Sequence, residues 1–145
     1  RIWDVAYREI ISSEQVEYMI RQMYSEEAIG RDIAQGIRYF WIQQEEEAVG
    51  FLAFGPVSAG VPCSLHKIYV NPERQGQGIG GATMRWLEEC LVRERASAIE
   101  LRVNRNNVDS IAFYQKSGFR VDREDCLDIG RGFVMDDFLM IRSLD

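Results

Sequence analysis

The chain has 145 residues and a mass of 16.8 kDa, which fits one domain, residues 1–145, with a hydrophobic core of its own. Its 46% hydrophobic and 28% charged residues exclude a disordered or fibrous protein, and no apolar run approaches the ~18 residues of a membrane span. The net charge of −6 argues against nucleic-acid binding and favours cationic substrates.

The first predicted element is a helix that is already under way where the sequence starts. Ile2, Trp3 and Tyr7 resemble the middle of an amphipathic helix. Because the chain also opens without a methionine, we expect that a preceding segment is absent from this sequence. Ser12 and Gln15 form a capping-box pair ahead of apolar residues at helical spacing, which predicts a helix to about residue 23.

The later elements alternate between strand and helix patterns, separated by glycine, proline and asparagine. In chain order they are a helix between Ser25 and Gly36, strands at 39–43, 49–54 and 64–70, a helix from about 79 to 95, a strand at 98–103, a helix at 108–117, and closing strands at 119–122 and 138–141 joined by an irregular segment at 123–137. This order predicts a mixed α/β (α+β) fold, a sheet covered by helices.

No signal-peptide pattern opens the chain, and its three cysteines, Cys63, Cys90 and Cys126, lack the spacing of metal ligands. We therefore expect reduced thiols in a cytoplasmic protein without a metal site.

The segment between the strand at 64–70 and the following helix is rich in glycine. It reads Arg74-Gln75-Gly76-Gln77-Gly78-Ile79-Gly80-Gly81. Glycine lets a backbone approach a ligand closely, and amides at the start of a helix bind anions together with the helix dipole. The segment therefore predicts a site for the phosphates of a cofactor.

Gly76, Gly78 and Gly81 match the G-x-G-x-x-G pattern of dinucleotide-binding proteins, with Glu100 about 20 residues downstream. That pattern should follow its strand immediately, yet residues 71–75 intervene, and the chain supplies too few parallel strand–helix units. A P-loop is excluded because no Gly-Lys-Ser/Thr follows. A glycine-rich helix start without any ligand stays open as an alternative.

Two motifs point to one family. The first is Gln75-x-x-Gly78-x-Gly80 after a strand, and the second is Asn107-x-x-Ser110-Ile111-x-Phe113-Tyr114-x-Lys116-x-Gly118-Phe119. Together they resemble motif A and the C-terminal signature of the GNAT N-acetyltransferases, which bind acetyl-CoA. The departure is Ser110, where the family usually has alanine. The resemblance covers essentially the whole chain and implies a mostly antiparallel, GNAT-like sheet.

The same comparison implies an N-terminal edge strand before the first helix, and we expect that this strand is missing from the sequence. Within the family, three segments at 16–19, 65–70 and 128–137 look like those of bacterial polyamine (spermidine/spermine) acetyltransferases.

The resemblance also implies how acetyl-CoA, the cosubstrate, is held. The strand ending at Val70 is expected to splay from the strand at 98–103, so that backbone groups bind the pantetheine arm and the Val70 amide stabilises an oxyanion. The pyrophosphate is expected on the amides of the loop, with Gln75 bracing it. The implied cofactor contacts are Ile68, Tyr69, Val70, Gln75, Gly76, Gln77, Gly78, Ile79, Gly80, Gly81, Asn107 and Tyr114.

Tyr114 is the expected general acid, because a phenol can protonate the departing thiolate. Family members often carry a glutamate as base, at a position that is Ser64 here or at one on the next strand that is Arg102 here. His66, the only histidine, lies on the same strand face as Ser64 and is our candidate base. Water relayed to an acidic residue of the acceptor pocket is an alternative.

The expected function is acetyl transfer from acetyl-CoA to a primary amine by direct attack in a ternary complex, with a polyamine such as spermidine as the leading acceptor. Two alternatives stay open: acetylation of a protein N-terminus or lysine, and a non-catalytic acyl-CoA-binding sensor. The expected partner is a small-molecule amine, without nucleic acid or membrane, and a homodimer is an open option.

Overall fold

The computed structural model describes residues 5–9, 26–130 and 133–144. The elements are β1 (Val5–Glu9), α1 (Glu26–Ala34), β2 (Arg38–Gln44), β3 (Glu47–Phe54), β4 (Pro62–Val70), a 3₁₀ turn (Pro72–Arg74), α2 (Ile79–Arg93), β5 (Ala98–Asn104), α3 (Val108–Lys116), β6 (Arg120–Gly130) and β7 (Phe133–Ser143).

In the described ranges the strands form one seven-stranded sheet in the order β1-β2-β3-β4-β5-β7-β6. Each neighbouring pair is antiparallel except β4 and β5, which are parallel. The predicted mixed sheet is therefore confirmed. None of the helices in the described part of the chain has the length and apolar character needed to span a bilayer.

Each face of the sheet is covered by a different helix. Helix α2 packs Met84, Leu87 and Leu91 into the larger hydrophobic cluster, which includes buried residues of β3, β4, β5 and β7. Helix α1 contributes Ile29 to a second cluster on the other side of the strands, together with Trp41 of β2 and other side chains of β2 and β3. The alternation of side chains along each strand lets one sheet serve both clusters.

Strands β4 and β5 pair over a short distance and then part. The pairing joins Pro62–Ser64 with Ala98–Glu100, so Ser64 and Glu100 are the last partners. Beyond that point β4 continues along β3 as far as Val70, while β5 continues along β7. The two halves of the sheet therefore form a fork, with the expected slot between them.

The prediction that an N-terminal edge strand is missing is wrong, because β1 (Val5–Glu9) pairs antiparallel with the outer edge of β2. The helix predicted around Tyr7 is a strand for the same reason. Val5 and Tyr7 favour extended structure, and pairing with the open edge of β2 outweighs a helical period that three apolar residues suggested. Ile2, Trp3 and the helix predicted from Ser12 lie outside the described residues.

The segment predicted as irregular, 123–137, mostly belongs to the long β6–β7 hairpin. Its many charged residues hid the strand pattern. In the structure these charges pair between strands: Arg102 contacts Asp125 and Asp137, and Arg105 contacts Glu124 and Asp136. A polar, partly exposed strand face reads as a loop when only hydrophobicity is followed.

Core packing under α2 yields the first testable prediction. The side chain of Leu87 is 0% exposed, whereas that of Val92 on the same helix is 53% exposed. We expect Leu87→Ala to lower the free energy of unfolding by about 2–5 kcal/mol in urea titration, because it removes buried methyl groups and leaves a cavity. Val92→Ala is the matched control and should change it by less than about 0.5 kcal/mol. Equal effects would contradict this packing.

Candidate active site

The glycine segment leaves β4 through the 3₁₀ turn, where the side chain of Asn71 accepts a hydrogen bond of 3.0 Å from the amide of Glu73. Gly76 and Gly78 then adopt left-handed φ angles of 79° and 81°. A Cβ on either would meet no atom within 4 Å, so the space before the loop is open. Glycine is required here by backbone conformation, and the open space leaves room for a ligand.

Helix α2 begins immediately after this loop, with Gly78 as its N-cap. No side chain caps that end, so the first amides of the 15-residue helix lack a side-chain acceptor. These amides and the positive end of the dipole favour an anion. Gln75 braces the loop, since its side-chain amide donates to the carbonyl of Val70 at 3.4 Å.

A cleft of about 1010 Å³ extends from the loop along β4 and α3. Its walls include most of the predicted cofactor residues. Those that line it are Ile68, Val70, Gln75, Gly76, Gly78, Ile79, Gly80, Gly81 and Tyr114. The structure therefore brings both sequence motifs to one cleft.

The β4 wall presents alternate backbone groups to the fork. The amide of Asn71 donates to Val49 of β3 at 2.7 Å, and Val70 lies opposite Gly50. Because antiparallel pairs alternate, Tyr69 turns its backbone towards β3, while Ile68 and Val70 turn theirs towards the gap. Tyr69 accordingly does not line the cleft, unlike the two residues beside it.

Tyr114 lies on α3 at the wall of this cleft, packed between Phe113 and Phe119 with ring centroids 5.4 and 5.7 Å away. Burial raises the pKa of its phenol above the ordinary value, because the phenolate would lose hydration. Its hydroxyl makes no hydrogen bond to any residue that the structure describes. The group is therefore protonated at neutral pH and free to donate.

Four cationic side chains of the described residues line the cleft, and one of them, Arg142, is paired with Glu88 at 2.8 Å. Arg74 is held by Gln44 at 3.1 Å and by Glu47 at 2.5 Å. Arg85 and Lys116 are exposed and have no ion pair within the described ranges. Sequence reasoning missed Arg85, although its position one helical turn after Gly81 was a usable signal.

Besides Tyr69, two further predicted cofactor residues, Gln77 and Asn107, do not line the cleft. Asn107 caps α3, because its side-chain oxygen accepts a hydrogen bond from the amide of Ser110 at 3.3 Å. Gln77 lies within the loop, between Gly76 and Gly78, but does not line the cleft. Its side-chain oxygen is buried without a hydrogen-bond partner among the described residues.

A second cavity of about 410 Å³ lies at the fork. Cys63, Leu65, Ile99 and Leu101 point into the core beneath α2, so alternation turns Ser64 and Glu100 to the opposite face. His66 lines this cavity, and its Nε2 donates to the carbonyl oxygen of Gly55 at 2.8 Å. Only Nδ1 is left to accept a proton.

Arg102 and Glu100 also line the second cavity. Arg102 occupies one of the two positions at which family members often carry a glutamate base. Its guanidinium contacts Asp137 at 3.1 Å and Asp125 at 2.5 Å. Glu100 was not among the predicted site residues. The signal that identifies it is its pairing with Ser64, which only strand register reveals.

Comparison with known proteins agrees with these features. The sequence pattern of the "Acetyltransferase (GNAT) family" matches residues 3–119. The spermidine N(1)-acetyltransferase of Thermoplasma acidophilum is 26% identical over 139 residues, which are 92% of this chain and 83% of that protein.

Two solved structures share the fold. A GNAT family acetyltransferase from Elizabethkingia anophelis, crystallised with acetyl-CoA bound, has a TM-score of 0.76 at 16% identity, covering 96% of this chain and 97% of that one. The ribosomal-protein-S18-alanine N-acetyltransferase from Escherichia coli has a TM-score of 0.80 at 20% identity, covering 98% and 95%.

Proposed function

Since the chain belongs to the acetyltransferase (GNAT) family and is an acetyltransferase with acetyl-CoA as its cosubstrate, we propose that it acetylates a small primary amine, with a polyamine such as spermidine as the leading acceptor. The transfer is direct, from a ternary complex. The observation that carries the proposal is the continuous cleft from the left-handed glycines at the start of α2 to the phenol of Tyr114.

The residues of the cleft fit acetyl-CoA by their chemistry. The uncapped amides of Ile79, Gly80 and Gly81 suit the pyrophosphate, and Arg85 and Lys116 can add positive charge to it. The backbone groups of Ile68 and Val70 that face the fork can hydrogen-bond the pantetheine arm in the manner of an added strand.

When bound, acetyl-CoA supplies a thioester whose carbonyl carbon an amine can attack. The backbone N–H of Val70 lies at the edge of the fork and donates to the oxygen on which negative charge develops. The backbone carbonyl of Val70 accepts a hydrogen bond from Gln75. Tyr114 holds a proton at its hydroxyl and donates it to the departing sulfur. His66 remains the proton acceptor proposed from the sequence, with Nδ1 as the basic atom.

The acceptor enters from the second cavity, on the other face of the fork. A cationic amine is supported by the net charge of −6 and by the spermidine acetyltransferase relative. Glu100 and Asp122 place carboxylates on the cavity wall. Acetylation of a protein N-terminus is the second candidate, because Arg123 lines the same cavity and suits an acceptor that also carries a carbonyl.

The remaining parts of the proposal concern context. We place the protein in the cytoplasm as one domain, with a homodimer as an option. The three cysteines are free thiols, and burial raises the pKa of Cys63 to about 11.

Gly78→Val tests the loop assignment. A β-branched residue strains the left-handed conformation and fills the space before the helix amides. We expect at least a tenfold loss of acetyl-CoA affinity by isothermal titration calorimetry. The matched control is Gly60→Val, because Gly60 has a φ of 77° and open space but lies in the β3–β4 connection, outside the cleft. Retained affinity in Gly78→Val would refute the loop assignment.

Tyr114→Phe tests the acid. We expect kcat to fall by about 10²-fold, the range for loss of a general acid, with acetyl-CoA affinity unchanged. Because the pKa of Tyr114 is raised, wild-type activity should persist into alkaline solution and decline only as the pH rises through that raised pKa. Gln115→Ala, an exposed change on the same helix, is the control. A normal kcat in Tyr114→Phe would remove the assignment.

Release of the CoA thiol, measured with a panel of polyamines, amino acids and peptides, tests the acceptor class. We expect spermidine or a related polyamine to give the highest kcat/KM. A peptide with a free N-terminus as the preferred acceptor would replace the polyamine by the second candidate. Acetyl-CoA binding without turnover of any amine would instead support a sensor.

A further inference from the structure

We propose that Glu100, in place of the His66 expected from the sequence, is the group that takes the proton from the acceptor's ammonium, an inference that rests on the proposed amine acceptor. Its carboxylate comes from β5 and not from β4, and it stands at the point where these two strands part. Position and surroundings, rather than any sequence motif, carry the assignment.

The register of β4 and β5 places Glu100 at the opening of the fork. Ser64 and Glu100 are the last paired residues of β4 and β5, and the Ser64 hydroxyl donates to Glu100 Oε1 at 3.3 Å. Both side chains line the second cavity. Because the strands diverge from this pair onwards, an amine that reaches the gap from this side passes the carboxylate first.

The distribution of charge in the second cavity also favours Glu100. Glu100 has no cationic partner among the described residues, whereas Asp122 lies 3.5 Å from Arg120. Arg102, on the same strand, is held by two aspartates of the hairpin. Glu100 therefore presents uncompensated negative charge to an ammonium, which neither the Ser64 hydroxyl nor an exposed histidine can do.

The other groups around the carboxylate are consistent with this role. Besides Ser64, β4 contributes His66, whose Nε2 is committed to Gly55. Strand β6 contributes Arg123 with Asp122, and β7 contributes the apolar Leu139 and Ile141. The thiol of Cys63 lies beneath, and its raised pKa keeps it neutral at neutral pH.

The proton balance is complete with groups already described. The ammonium nitrogen of the acceptor loses two protons during acetylation. The first N–H bond breaks before attack, its electron pair stays on nitrogen, and the proton passes through water in the second cavity to Glu100 and then to solvent. The second proton leaves nitrogen as the C–N bond forms and the C–S bond breaks, and it replaces the proton that Tyr114 gives to sulfur.

The test compares wild type with Glu100→Gln, using the amine that wild type acetylates fastest. Near neutral pH we expect kcat/KM for the amine to fall by about 10²-fold or more, as for loss of a general base, while acetyl-CoA affinity stays unchanged. The deficit should shrink as the pH approaches the pKa of the amine, because a neutral amine needs no base. Glu89→Gln, on the exposed side of α2, is the charge-matched control.

A second measurement separates proton transfer from structure. An analogue of the same amine, fluorinated beside the nitrogen so that it is neutral at the assay pH, should react at similar rates with wild type and Glu100→Gln. Glu100→Asp, which keeps a carboxylate, should recover part of the lost rate and serves if the glutamine variant does not fold.

Each result has one meaning. A Glu100→Gln rate equal to that of Glu89→Gln, or a deficit of constant size at every pH and with the fluorinated amine, would overturn the role of Glu100. Preference for a peptide over polyamines would overturn the acceptor class alone, since the comparison is then made with the peptide. Absence of turnover with every amine would overturn both.

Discussion

The parting of β4 from β5 after Ser64 and Glu100 is the constraint on which the rest of the site depends. A sheet normally satisfies the backbone groups of interior strands on both sides. Here β4 keeps β3 as its partner but loses β5, so the backbone groups of Ile68 and Val70 face a gap in the middle of the sheet. The gap costs sheet hydrogen bonds and creates a slot that an extended ligand can complete.

The start of α2 lies at the wide end of the fork, where β4 ends. The chain turns from β4 into α2 through two left-handed glycines, Gly76 and Gly78, and the second of these is also the N-cap of the helix. Gln75 ties this turn back to the carbonyl of Val70. The proposed phosphate site and the proposed pantetheine site are thus connected by one hydrogen bond and a few residues of backbone.

Features that depend on residues close together in the sequence could be predicted from it, whereas features that depend on distant partners could not. The loop around Gly78 and the helix motif around Tyr114 are local patterns, and most of the cofactor residues predicted from such motifs line the cleft. The β1 edge strand and the β6–β7 hairpin depend on partners distant in sequence, and local periodicity or polarity gave the wrong element for both. The position of Tyr69 illustrates the same limit for single residues, because a strand motif does not indicate which backbone groups face a neighbouring strand. The position of Glu100 beside Ser64 could not be predicted for the same reason, since no sequence pattern indicates that these two residues pair.

The two faces of the fork offer two different environments for proton transfer. On the cofactor face, Tyr114 lies among aromatic rings, and lost hydration raises its pKa so that it keeps a proton to give. On the acceptor face, Glu100 is partly exposed, hydrogen-bonded to a serine and free of cationic partners among the described residues. In the proposed reaction, Glu100 takes a proton from nitrogen on one face while Tyr114 supplies one to sulfur on the other, and the fork is the opening that connects the two faces.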